Sequence, residues 1–144
     1  MTTAFLALTT AVQTALAAAL PGVQVLRGRA VPAGTGAQQY VLVNIDHTRG
    51  QALEIASGPT QWETVLGIVL YQRAAIGSDA EASIDATLGA LWDAVAAIAR
   101  PSGVVGMQLD PAIQWDLDEA DHVVASASLV LRITHLTQAA LAAP

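Results

Sequence analysis

The stretch from Val123 to His135, VVASASLVLRITH, alternates along its whole length. Val123, Ala125, Ala127, Leu129, Leu131 and Ile133 fall on one side, and Val124, Ser126, Ser128, Val130, Arg132 and Thr134 on the other. Successive side chains of a strand point to opposite faces, so this period of two specifies a long β-strand with one apolar and one mixed face. The apolar face has to be covered, and the rest of the chain must supply the cover.

A second alternating run, AIQWDL, lies just upstream, with Ile113, Trp115 and Leu117 apolar and Gln114 and Asp116 polar. The two runs read as a hairpin. A slip of one residue would turn every side chain to the wrong face, so odd positions must oppose odd positions. The expected register sets Leu117 against Val123, Trp115 against Ala125 and Ile113 against Ala127. Asp118 then faces His122, and Glu119 to Asp121 form the turn. A loop of three residues is a common hairpin connection.

That turn spells DEAD, Asp118 to Asp121, the letters of a magnesium-handling motif in one group of RNA helicases. The helicase reading fails elsewhere in the chain. A P-loop needs a lysine to reach the terminal phosphates, and this chain has no lysine. Its six basic residues are Arg27, Arg29, Arg49, Arg73, Arg100 and Arg132, scattered without a stripe, and the net charge is −6. A dedicated nucleic-acid reader is excluded on the same ground. Asp116, Asp118 and Asp121 do not make an EF-hand loop, because Ala120 and Asp121 stand where an oxygen ligand and a glycine are required. His47, His122 and His135 are too dispersed for a zinc cluster. GTG at Gly34 to Gly36 lacks the rest of a dinucleotide fingerprint, and no G-x-S-x-G elbow is present. The sequence therefore offers no catalytic residues, no metal ligands and no cofactor site.

Two helices supply the cover. TTAFLALTTAVQTALAAAL predicts one over Thr3 to Leu20, with Phe5, Leu8, Val12, Leu16 and Ala19 in a stripe, Thr2 or Thr3 as cap and Pro21–Gly22 as stop. SDAEASIDATLGALWDAVAAIARP predicts the other. Ser78 and Glu81 read as a capping box, Ile84, Leu88, Leu91, Val95 and Ile98 as the stripe, and Pro101 as the end. Asp79 and Glu81 suit the positive end of its dipole and Arg100 the negative end. VQVLRG, YVLVNID and QWETVLGIVLYQR predict further strands. Residues 29–39 and 47–60 read as long connections, the second with a short extended piece at Leu53 to Ile55. Trp62 and Trp115 read as core residues. Arg132, on the mixed face, is either solvated or a subunit contact.

The expected fold is α+β: a mainly antiparallel sheet of four to five strands with two helices packed on one face. It forms a single domain over 1–144, in which 136–144 make a small-residue, mobile tail. The longest apolar stretch, broken by Pro21 and Gly22, is too short to span a membrane, and the first segment lacks the basic start of a signal peptide. Charged residues are 12 % of the chain and hydrophobic residues 53 %, against about 25 % charged in ordinary domains. A surface so short of charge suggests that neighbouring subunits cover part of it.

The order of helix, sheet, YQRAAIGSDAEASIDATLGALWDAVAAIA and then IQWDLDEADHVVASASLVLRI resembles the tail terminator proteins of long-tailed bacteriophages. A central strand runs into a small-residue, acidic helix start, the helix carries an aromatic near its end, and a W/Y-D-x-D-x-A-D hairpin leads into a long alternating strand. The resemblance covers most of the chain, in its first third by pattern only. It implies a structural virion protein with no enzymatic activity, at the head-proximal end of the tail after assembly in the host cytoplasm. It implies a homo-hexameric ring that caps the tail tube, ends tube polymerisation and offers the head–tail joining surface. Its partners would be further copies of itself, the tail tube protein and the head–tail connector protein, with DNA passing through the lumen unbound. Ser126, Ser128, Val130 and Arg132 would then be subunit or ring contacts. Arg29, Gly34, Gly36, Arg49 and Gln51 would lie on loops reaching the tube or the connector. The alternatives are another head–tail connector, completion or minor tail protein, or a small-molecule-binding domain.

Overall fold

A computed structural model describes residues 2–28, 39–53, 58–74, 78–119, 123–138 and 141–143. Among them two helices and six strands run in the order α1 (Ala4–Ala19), β1 (Gln24–Arg27), β2 (Gln39–Ala52), β3 (Thr60–Ala74), α2 (Ala80–Ala96), β4 (Val104–Leu109), β5 (Gln114–Glu119) and β6 (Val123–Thr137). The strands form one sheet, β1-β2-β3-β6-β4, with β5 following β4 along the free side of β6. The fold is α+β, as expected, but the sheet is mixed and not antiparallel throughout. β1 lies parallel to β2, with Val25 opposite Val41, while all other pairs are antiparallel.

The alternation of β6 has the predicted consequence. Ala125, Ala127, Leu129 and Ile133 are fully buried and Leu131 nearly so. Register carries this face across the sheet: Leu131 meets Leu66, Leu129 meets Ile68, and Ala127 meets Leu70. Ile68 meets Val43, and Leu70 meets Val41. Both helices cover this side, placing Leu8, Val12 and Leu16 of α1 and Ile84, Leu88, Leu91 and Val95 of α2 in one core with it. Gln39 fastens β2 to α2, donating from Nε2 to Ser83 O at 3.0 Å and accepting from Thr87 Oγ1 at 2.8 Å.

Helix ends differ in detail from the sequence reading. Thr3 caps α1, accepting from Leu6 N at 3.3 Å. α2 is capped by Asp79 rather than Ser78, because the Asp79 carboxylate accepts from Ala82 N at 3.0 Å and the helix begins at Ala80. It ends at Ala96, so Arg100 lies beyond it and donates to Val105 O at 3.2 Å instead of facing the dipole. The stretch between α2 and β5 holds β4. Pro101 O accepts from Val104 N at 3.2 Å, with Gly103 at φ 80° in the third position of the turn. A type II turn requires a positive φ there, and glycine adopts it without strain.

The connection 47–60 is also mostly strand. β2 continues through a bulge between Ile45 and His47 to Ala52, and β3 starts at Thr60, so only 53–59 connect them, of which 54–57 lie outside the described residues. Residues 45–52 of β2 are exposed on both faces. A strand wet on both sides has no reason to alternate, which hides it from periodicity. At the chain's end, Ala4 N donates to Leu141 O at 2.9 Å and Ala143 N to Thr2 O at 3.0 Å, pairing the tail with the start of α1.

Candidate functional site: the uncovered sheet face and its edges

The two helices share one side of the sheet, so the opposite side is the outer face. The candidate ring contacts Ser126, Ser128, Val130 and Arg132 form a row there, each partly buried. Register places Tyr71, Val69, Gly67 and Val65 of β3 on one flank of this row. Asp116 and Gln114 of β5 and Gln108 of β4 lie on the other. Tyr40 and Tyr71 stack on the same face with ring centroids 5.0 Å apart, and burial first, then the neighbouring Tyr71, pushes the Tyr40 phenol above its ordinary value.

Arg132 organises the polar end of this face. Its Nε and Nη2 donate to the Asp110 carboxylate at 3.1–3.2 Å, and its Nη1 lies 3.6 Å from Glu63 Oε1. The hydrogen bonds to Asp110 raise its pKa further above the ordinary arginine value. Across the sheet Glu63 faces Arg49, and Gln51 faces Gln61. Thus Arg49 and Gln51, expected on a loop, sit on the exposed arm of β2. Arg29, Gly34 and Gly36 lie outside the described residues. Arg132→Glu would set three carboxylates together. Its melting temperature is expected to fall at low ionic strength and to recover partly in high salt, as screening of an exposed cluster requires. Thermal melts at two salt concentrations test this, and a salt-independent change would mean that Arg132 acts by packing alone.

On the helix side, near the start of α1, lies an aromatic cluster that no sequence pattern indicated. Trp62 donates from Nε1 to Thr137 Oγ1 at 2.9 Å, and Phe5 meets the rings of Trp62 and His135 edge-on at 5.0 and 5.5 Å. His135 Nε2 is hydrogen-bonded to Thr64 Oγ1 at 2.8 Å, and burial lowers its pKa below 6.5. A histidine with a depressed folded pKa stabilises the fold fully above its unfolded value of about 6.5, and that contribution is lost as pH falls from there toward the folded value. Denaturant midpoints measured between pH 8 and pH 5 are expected to fall below about 6.5. His135→Gln should flatten that segment, and an unchanged slope would assign it to other groups.

The hairpin of β5 and β6 keeps odd against odd but is shifted by two residues from the expected register. Trp115 faces Ala127, Leu117 faces Ala125, Asp118 faces Val124 and Glu119 faces Val123. Both large side chains now oppose alanine, where the expected register set Leu117 against valine. Ala120, Asp121 and His122 lie outside the described residues. Trp115 and Leu117 are not core residues: each is 44 % exposed, and Trp115 borders an open hollow at the start of α2 instead of lying under the helix.

Among the described residues no cluster of three or more His, Asp or Glu side chains is placed to hold a metal ion, and no helix is long and apolar enough to cross a membrane. No protein-family model and no curated protein matches the sequence. Among solved structures, a chain of the virion of a native gene transfer agent particle superposes with a TM-score of 0.60 at 22 % identity, over 90 % of this chain and 95 % of that one. The two share a fold. A sheath/tube terminator of an extracellular contractile injection system in the extended state gives 0.45 at 10 % identity, over 94 % of this chain and 59 % of that one, too weak to establish a common fold.

Proposed function

We propose that this chain is the subunit of a tail terminator: a hexameric ring that caps the tail tube of a phage or phage-like particle, ends tube polymerisation and joins tail to head. The observation that carries the reading is the fold shared end to end with a chain of a gene transfer agent virion. The W-D-x-D-x-A-D hairpin and its long final strand support it independently. The ionic cluster on this face, Arg132 with Asp110 and Glu63, is matched within the chain.

In this reading the outer face of the sheet, with Ser126, Ser128, Val130 and Arg132, turns toward the ring's neighbours and its lumen. The arm of β2 and β3 that bears Arg49 and Gln51 reaches the tube or the connector, together with the segment 29–39. An acidic chain suits a lumen that passes DNA without holding it, because like charge repels the phosphates. Electron microscopy of particles assembled without this protein tests the assignment. Tails of irregular length and unattached heads are expected. Tails of normal length still joined to heads would overturn it.

A further inference from the structure

The two ends of the sheet differ in a way that suits them to each other. At one end, Trp115 and Leu117 of β5 stand 44 % exposed on the side that carries the helices, while their partners Ala127 and Ala125 are fully buried. Among the described residues β5 pairs with β6 alone, so its far edge offers free backbone groups. An apolar, unpaired edge strand is a template for another chain. Carboxylates surround it. Asp79, which caps α2, and Glu81 and Asp85 of that helix share a hollow with Trp115, and Asp116 and Asp118 are exposed on the strand's other face.

At the opposite end, beyond β1, α1 leaves a shallow apolar groove. Leu6, 40 % exposed, lines it with Ala7, Ala11 and Ala15, and Arg27 of β1 stands on its rim. Arg27 Nη1 donates to Thr10 Oγ1 at 2.8 Å, which holds the guanidinium beside the groove with other N–H groups to spare. The first end thus presents an aromatic knob in an acidic frame, and the second an apolar groove with a cation.

We propose that copies of this chain join head to tail, the Trp115–Leu117 edge of one seating in the groove between α1 and Arg27 of the next. Two β5 edges facing each other would oppose acid to acid, which like-charge repulsion disfavours. Pairing the acidic edge with the arginine edge removes that repulsion and covers both apolar patches. A contact between two different patches is heterologous, and repeated it closes into a ring when the rotation per subunit allows. The closure rests on the terminator reading; the contact itself does not.

The chain has no cysteine, so single cysteines report the contact cleanly. Leu6→Cys and Trp115→Cys both fall at exposed positions, where substitution is well tolerated. β2, β3 and β6 separate the two edges within one chain, so a disulfide between them must join two copies. Under mild oxidation at high protein concentration, the double variant is expected to give a ladder of linked multimers ending at the hexamer. A mixture of the two single variants should give linked dimers, and each single variant alone none. Adding Arg27→Glu to the double variant should cut the ladder several-fold at low salt.

A dimer from Trp115→Cys alone would replace the proposal with a symmetric contact. Absence of any ladder from the correctly folded double variant would overturn it and leave the acidic edge to a basic strand of another protein. Should the ladder form while particles lacking the protein keep normal tails, the contact stands and the terminator reading falls.

Discussion

Leu66→Ala is expected to lower the free energy of unfolding by about 2–5 kcal/mol, the usual cost of removing a buried leucine together with the cavity it leaves. Leu66 is fully buried in β3, with Leu131 of β6 on one side and Ile45 of β2 on the other. It lies under the helices in the shared core. Small domains are stable by only about 5–15 kcal/mol, so the variant would have lost a large part of its margin. Leu117→Ala, at an exposed position on β5, is the matched control and should stay within about 0.5 kcal/mol of the parent. Urea denaturation of the three proteins measures both effects. Equal costs at the two positions would mean that the even residues of β3 do not form the covered face, and the register linking β3 to β6 would have to be redrawn.

The sequence made that covered face legible because burial is one-sided there. Where a strand has a dry face and a wetter one, residue choice alternates, and β6 could be read from it. Both helix stripes were readable for the same reason, Leu8, Val12 and Leu16 in α1 and Ile84, Leu88 and Leu91 in α2. Where both faces meet water the signal vanishes, as in β2 beyond Ile45. In β4 a bulge between Val104 and Gly106 breaks the period in a strand of six residues. The signal that could have found β4 was the turn before it, Pro101 followed two residues later by Gly103.

Period two also cannot tell a register from one shifted by two residues, since both keep odd against odd. The choice between them lay in side-chain size: the observed pairing gives both Trp115 and Leu117 an alanine partner. The parallel placement of β1 beside β2 leaves no trace in alternation, because strand order depends on which edges meet in space. The candidate site divides along the same line. Arg132 and its row could be placed on the outer face from sequence. Its partners Asp110 and Glu63 are 22 and 69 residues away in the chain and meet it only through the sheet. Trp115 was misplaced because alternation assigns a side of the sheet and says nothing about how far the helices extend over it.

The second large effect should appear where the exposed arm of β2 and β3 joins the body. A Cβ on Gly50 would stand 2.7–2.9 Å from three atoms of the Trp62 ring, and Gly50 faces Trp62 directly in the register. The ring lies across the glycine, with Phe5 against it and Thr137 accepting its N–H. Gly→Ala inside a strand is otherwise mildly favourable, since glycine weakens strands. Here it should destabilise by about 1–3 kcal/mol, the range for overpacking. Trp62→Ala should cost less than the roughly 3–5 kcal/mol of a fully buried tryptophan, because this one is only partly buried. In the double variant the methyl group no longer meets a ring, so the combined loss should fall short of the sum by about 0.5–3 kcal/mol. Denaturant midpoints of the four proteins close this cycle. Simple additivity would show that Gly50 is not reserved for the ring. A clear coupling would identify Trp62 as the strut that ties the arm to α1 and the end of β6. Gly50→Ala should then also loosen hydrogen-exchange protection along residues 45–52, the part of the chain proposed to meet the tube or the connector.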